Sequence, residues 1–213
     1  MTAEERSKAR DGAIDWREYP PLELSPILTA ALEQFVTRGY EGTTVRTIAR
    51  QVGVTVPALY YHFTNKQAIL VALLDHAMKI VTSHIEAALD EAGDDPVRRL
   101  ENLVEAVSLY MSHHSDLAFL DAERRSLEED GLVRYLAYRD WVDGQLQSAI
   151  DDGCRDDRFA TPTPSTARRA ILAMCQGIAG WYKPGGLTSP EELAKEYTRI
   201  ALAAVEYRAS VHP

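Results

Sequence analysis

The sequence predicts an all-α fold in two parts, a small N-terminal helix-turn-helix domain followed by a larger helical domain. Three observations carry this reading. Apolar residues recur every three or four positions through most of the chain, and no stretch reads convincingly as a strand. Proline stands just inside the starts of the periodic stretches and glycine just past several of their ends, the asymmetry expected of helices. Apolar residues make up 46% of the 213, enough to bury a core, so a wholly disordered chain is excluded.

The elements follow in order. Residues 1–24, which include "WREYPPLEL", mix charges with prolines and are expected to form a flexible arm. Ser25-Pro26 is a cap with proline at the first helical position, after which Ile27, Ala31 and Phe35 recur every four residues until Gly39. Thr44 caps a second helix, Val45 to Val52, closed by Gly53. Thr55 caps a third, with Pro57 in the first turn, where its missing N–H does no harm. Thr64 with Gln67 reads as a capping box for a fourth helix that runs to about Ala92-Gly93. Asp95-Pro96 opens a helix through Tyr110, and a shorter one covers about Asp116 to Leu127. Another is expected over Leu132 to Asp151. After the linker "ATPTPST" a helix over Ala167 to Tyr182 stops at Pro184-Gly185-Gly186. Ser189-Pro190 with Glu192 repeats the cap, proline and box pattern for a last helix to about Ala209. There is no internal repeat and no low-complexity tract. The expected division is an arm over 1–24, a helix-turn-helix domain over 25–72, and a larger helical domain over 73–213, with a soft border inside the fourth helix.

Charge points the same way. The net charge of −9 at first argues against a nucleic-acid partner, but its distribution is uneven. Residues 25–72 hold four basic side chains against two acidic ones, and they are the only positive segment. One small basic face suffices to hold DNA while the rest stays acidic. The longest clean apolar run, Ile69 to Leu74, is far short of a membrane span, so no membrane partner is expected. The first residues lack the apolar stretch of a signal peptide, and Cys154 and Cys175 show no CxxC spacing. Both features suit a cytoplasmic protein with reduced thiols.

Two short helices joined by Gly53-Val54 form a helix-turn-helix signature. At about 100° per residue, Leu59 and Phe63 centre the inner face of the third helix with Val56, while Pro57, Ala58 and Tyr61 point roughly opposite. Tyr60 and His62 lie on the flanks. The small outer face allows close approach to DNA, and the tyrosine hydroxyls can reach phosphates. Arg46 and Thr47, on the preceding helix, are further candidates for base and backbone contact. For any one of these aromatic residues, packing on the surface of a helical hairpin is the simpler account. The caps, the glycine turn, Lys66 and the local charge together favour DNA. Lys66 stands in the first turn of a helix with no acidic residue three or four positions on, so a phosphate is the expected partner.

The stretch "TTVRTIARQVGVTVPALYYHFTNKQAIL" closely resembles the DNA-binding region of the tetracycline-repressor (TetR) family. The matching pieces are Thr44, Ile48-Ala49, Gly53-Val54-Thr55, Leu59-Tyr60, His62-Phe63 and Lys66, and the match covers about residues 27–74. The resemblance implies an all-helical homodimer whose divergent C-terminal domain binds a small effector. It further implies that Thr44, Tyr60, Tyr61 and Lys66 touch the DNA backbone, with Arg46, Val56, Pro57 and Ala58 nearer the bases. The full candidate set for double-stranded operator DNA is therefore Thr44, Arg46, Thr47, Thr55, Val56, Pro57, Ala58, Tyr60, Tyr61, His62 and Lys66.

The C-terminal part says less. Residues 177–202 look like the end of a TetR subgroup associated with acyl-CoA ligands, through the run Trp181 to Gly186. A simpler account makes Trp181 and Tyr182 packing anchors. In the middle helices Tyr110, Met111, Phe119, Tyr135, Tyr138 and Trp141 could line an apolar cavity, and Arg124-Arg125 could meet an anionic head group. The ligand-binding candidates are thus Tyr110, Arg124, Arg125, Tyr138, Trp141 and Trp181. A repressor released by an acyl-CoA, and a repressor or activator sensing drugs or other hydrophobic compounds, both stay open. The last two helices are the dimer candidates, through small residues Ala170, Ala173, Gly177 and Gly180 on one and the stripe Tyr197, Ala201, Ala204, Tyr207 on the other. No catalytic residue, cofactor or metal is expected: His113 and His114 are adjacent, so their rings diverge, and no phosphate loop or nucleophile motif occurs.

Overall fold

A computed structural model describes residues 14–209. The described chain is helical, with one isolated bridge between Phe159 and Tyr207 and no strand. We number the helices α1 (Pro26–Arg38), α2 (Val45–Val52), α3 (Val56–His62), α4 (Lys66–Ala92), α5 (Pro96–His113), α6 (Ser115–Phe119), α7 (Glu129–Arg155), α8 (Pro164–Trp181) and α9 (Pro190–Ala204). A 3₁₀ turn, Leu120–Ser126, joins α6 to α7, where a single short helix was expected.

Local chemistry sets most borders. Ser25, Thr44, Thr55, Asp95 and Ser189 each accept a backbone N–H at a helix start, and proline follows at the first or second position of α1, α3, α5 and α9. The α4 start departs from expectation. Asn65, not Thr64, is its cap, with Oδ1 accepting the Ala68 N–H at 2.7 Å. Gln67 cannot complete a box with Thr64. It is buried, and its Oε1 accepts the Tyr40 hydroxyl at 3.0 Å.

The core is continuous across both parts. Phe35, Ile48 and Leu59 close the small domain over Leu70, Leu73 and Leu74 of α4, all essentially without solvent contact. α5 is the central helix of the larger part and packs against α4, α7, α8 and α9. α4 is long and apolar enough by composition to cross a membrane, but it serves as the shared core helix, with Leu70, Leu73 and Ile85 fully enclosed.

The expected flexible arm is overturned for its described portion. Residues 1–13 lie outside the described residues, but Trp16 is only 2% exposed and its indole N–H donates to Glu91 Oε2 at 2.9 Å. Arg17 lies over the Trp16 ring and pairs with both Glu91 and Glu105 at 2.9 and 3.0 Å. The Tyr19 ring stacks between His84 and His113, and its hydroxyl donates to the Ala106 carbonyl at 3.1 Å. The prolines and charges do prevent a helix here, as expected. Two aromatic anchors on α4 and α5 nevertheless hold the segment down.

Candidate DNA-binding surface and effector cavity

The DNA-binding surface is built by two capped helices and a glycine turn. Thr44 Oγ1 accepts the Thr47 N–H and Thr47 Oγ1 accepts the Thr44 N–H, both at 3.1 Å. Gly53 adopts φ +80°, the left-handed region in which a side chain is strained, and lets the chain reverse into α3. Thr55 then caps α3 by accepting the Ala58 N–H at 3.2 Å. Leu59 is fully buried and Val56 and Phe63 are half-buried, which leaves Pro57, Ala58, Tyr60, Tyr61 and His62 exposed. Tyr61 is 88% exposed, which is hard to explain by packing. Thr44, Arg46 and Thr55 are likewise exposed, whereas Thr47 is half-buried with its hydroxyl engaged in the cap.

Lys66 is placed otherwise than expected. Its Nζ donates to the Tyr40 carbonyl at 2.7 Å and to the Thr43 carbonyl at 3.1 Å, and it sits 3.9 Å over the Tyr40 ring. The missing partner lies in the loop between α1 and α2, far away in sequence, not on its own helix. Lys66 therefore locks that loop to the start of α4.

The effector domain contains a cavity of about 410 Å³ between α4, α5, α6, α7 and α8. Leu74, Val81, Val107, Met111 and Leu172 contribute apolar walls, and Tyr110, Asp121, Tyr135, Arg139, Arg168 and Arg169 the polar ones. Asp121 gathers three partners: it accepts from the Tyr135 hydroxyl, from Arg139 at 2.5 Å and from Arg124 at 2.9 Å. Burial would lower the Arg139 pKa, yet Asp121 and Tyr135 outweigh it and leave it raised. Burial first, and then the nearby Asp121 charge, push the Tyr135 phenol up, so it stays a donor. Arg168 pairs with Asp143, and its Nε has no protein partner.

Of the six ligand candidates, only Tyr110 lines this cavity. Arg124 is half-buried and paired with Asp121, and Arg125 is exposed. Tyr138 and Trp141 line a separate, open groove with Arg134 and Glu86. Trp181 is 55% exposed at the end of α8. Phe119 points outward at 45% exposure, whereas Met111 and Tyr135 do line the cavity. The residues missed were Arg139, Arg168, Arg169 and Asp121. Helical spacing could have found two of them: Arg139 stands four residues after Tyr135, and Arg168 four before Leu172, each on one face with its neighbour.

The candidate dimer helices divide. Ala170, Ala173, Gly177 and Gly180 of α8 are exposed, and a Cβ added at Gly177 or Gly180 would meet nothing within 4 Å. On α9 the expected stripe does not hold, because Ala201 is buried in its own subunit and Tyr197 is half-buried. Of that stripe only Ala204 is exposed, beside Ile200 and Ala203, and Tyr207 lies half-buried beyond the helix end. Cys154 and Cys175 are both free thiols, and burial pushes Cys175 up to about 12.

A capped helix-turn-helix with an exposed, aromatic-flanked second helix, set on a helical domain with an internal cavity, defines a DNA-binding transcriptional regulator. Sequence comparison agrees. Residues 27–73 match the tetR family of bacterial regulatory proteins, and residues 93–205, over half of the chain, match the tetracyclin repressor-like C-terminal domain. The chain belongs to the TetR family. It is 26% identical over 207 residues to the HTH-type transcriptional repressor KstR2 of Mycolicibacterium smegmatis, covering 91% of this chain and 95% of that one. A bacterial regulatory protein of the tetR family from Rhodococcus RHA1 superposes with a TM-score of 0.80 at 25% identity, over 86% of this chain and 97% of the other. AibR, solved in complex with isovaleryl coenzyme A and operator DNA, gives a TM-score of 0.73 at 24% identity, over 85% and 97%.

Proposed function

We propose that this regulator is a dimeric, cytoplasmic repressor that leaves a palindromic operator when an acyl-CoA thioester enters the effector domain. One observation carries the ligand class: a cavity of about 410 Å³ with an apolar side and a polar side that holds Arg139, Arg168 and Arg169. That volume suits an acyl chain and not the nucleotide. The phosphates would stay at the opening, where Arg169 is exposed. The AibR complex with isovaleryl coenzyme A supports the same ligand class. On the DNA side, α3 would enter the major groove with Val56, Pro57 and Ala58 against thymine methyls, while Thr44, Arg46, Thr55, Tyr60, Tyr61 and His62 hold backbone or base edges. Dimerisation would use the exposed small residues of α8 with Trp181 and Ile200.

A second reading keeps one specific support. Asp121, Asp140 and Asp143 also line the cavity, a set that would suit a lipophilic cation such as a drug. Footprinting of the purified protein on its own promoter region decides between them. Release by isovaleryl-CoA or longer acyl-CoAs is expected. Release by lipophilic cations alone, with CoA thioesters inert, would favour the second reading.

A further inference from the structure

We propose that Glu123 is the positioning residue through which the effector cavity controls the DNA-binding domain. The proposal deepens the effector reading above and rests on it only for the identity of the ligand. The 3₁₀ turn Leu120–Ser126 touches both parts of the molecule within three residues. At one end Asp121 faces the cavity, bound to Tyr135 and Arg139 of α7. Two residues on, Glu123 Oε1 accepts the backbone N–H of Tyr40 at 3.0 Å. Gly39 lies directly beneath, where an added Cβ would stand 3.6 Å from the same oxygen.

Tyr40 is a junction. Its hydroxyl donates to Gln67, its carbonyl accepts from Lys66, and its ring, 7% exposed, lies under the Lys66 ammonium. Thr43, held by the same lysine, immediately precedes Thr44, the cap of α2. Thus the Gly39–Thr43 loop sets the start of α2 and the start of α4, between which α3 is suspended. An anionic group entering the cavity competes with Asp121 for Arg139 and Tyr135. Asp121 then keeps only Arg124, within the turn itself, so the turn is freed from α7 and carries Glu123 with it. Only Ala122 separates the two contacts, so a shift at one end of the turn reaches the other.

The test needs no ligand in its main arm. An operator duplex is selected with the wild-type protein, and its Kd is measured for Asp121→Asn, Glu123→Ala and the double variant, after thermal melts confirm folding. Asp121→Asn is expected to weaken operator binding about ten-fold, inside the usual range of coupling between sites. In the Glu123→Ala background the same change should alter the Kd by less than about two-fold. Glu123→Gln, whose amide oxygen still accepts the Tyr40 N–H, should restore the full Asp121→Asn effect. An Asp121→Asn effect that is absent in the wild type, or equal in both backgrounds, overturns the proposal. A second arm adds isovaleryl-CoA. Glu123→Ala should bind it as the wild type does yet stay on the operator, and release equal to wild type also overturns the proposal. If the wild type itself ignores every CoA thioester, the effector reading falls while the ligand-free cycle still decides on Glu123.

Discussion

Removing the Lys66 ammonium should destabilise the protein, the reverse of what its position in the sequence suggests. In Lys66→Ala two hydrogen bonds disappear, at 2.7 Å to the Tyr40 carbonyl and 3.1 Å to the Thr43 carbonyl, together with the contact over the Tyr40 ring. The Tyr40 carbonyl keeps a bond from the Thr43 N–H at 3.2 Å, so the loss falls mainly on Thr43. A hydrogen bond to a charged group contributes about 1.5–3 kcal/mol and a cation over an aromatic ring about 0.5–1 kcal/mol. Lys66 is only half-buried, so water replaces part of this and a loss of about 2–3 kcal/mol is expected. For a chain of this size that lowers the melting temperature by roughly 4–12 °C. Urea and thermal unfolding of wild type and variant read the effect directly. Operator binding should fall too, through disorder of the loop before α2. Unchanged stability, with a salt-dependence slope of DNA binding reduced by about one unit, would falsify this placement and return Lys66 to a phosphate.

Four further outcomes are expected. Tyr61→Ala, at 88% exposure, should leave the melting temperature within about 1–2 °C and weaken operator binding several-fold in gel-shift titrations; equal binding removes Tyr61 from the interface. Trp16→Ala should cost about 3–5 kcal/mol in urea unfolding, as for a buried tryptophan, whereas a truly loose arm would show no loss. Burial, with His113 and His84 nearby, holds His114 down to about 4, so the unfolded chain binds more protons between pH 6.5 and that value. Stability present above pH 6.5 is accordingly lost as the pH falls through this window, and His114→Leu should flatten the melting curve against pH there; parallel curves refute the assignment. Gly177→Glu should convert a dimer to monomers in sedimentation if the α8 face pairs, since a Cβ there has open space within 4 Å in its own subunit; a persisting dimer moves the interface elsewhere.

What was legible in the sequence was whatever is decided locally. Ser25, Thr44, Thr55 and Ser189 cap their helices because the side chain and the N–H it accepts lie within three residues of each other. The faces of α3 followed from the angular spacing of Leu59 and Phe63 alone. What failed was decided by partners distant in the chain. Nothing local shows that Tyr40 claims Gln67, so the sequence pairs it with Thr64, and Lys66 has no visible partner for the same reason. Trp16 and Tyr19 sat among prolines and charges, so their docking on Glu91 and Ala106 had no periodic signature. Aromatic content and an arginine pair mark a cavity in the sequence but not its lining. Whether Trp141 or Arg139 turns inward depends on how α7 is rotated about its axis, and tertiary packing sets that rotation.

The docked segment around Trp16 and Tyr19 also has a mechanical consequence. The chain enters α1 directly from this anchored stretch and leaves α3 directly into α4, whose far end belongs to the larger domain. The three small helices are therefore held at both of their chain ends. Together with the Glu123–Tyr40 contact, these two attachments tie the recognition helix to the larger domain at separate points along the chain. A small strain in the larger domain is thereby passed to α3 through more than one attachment.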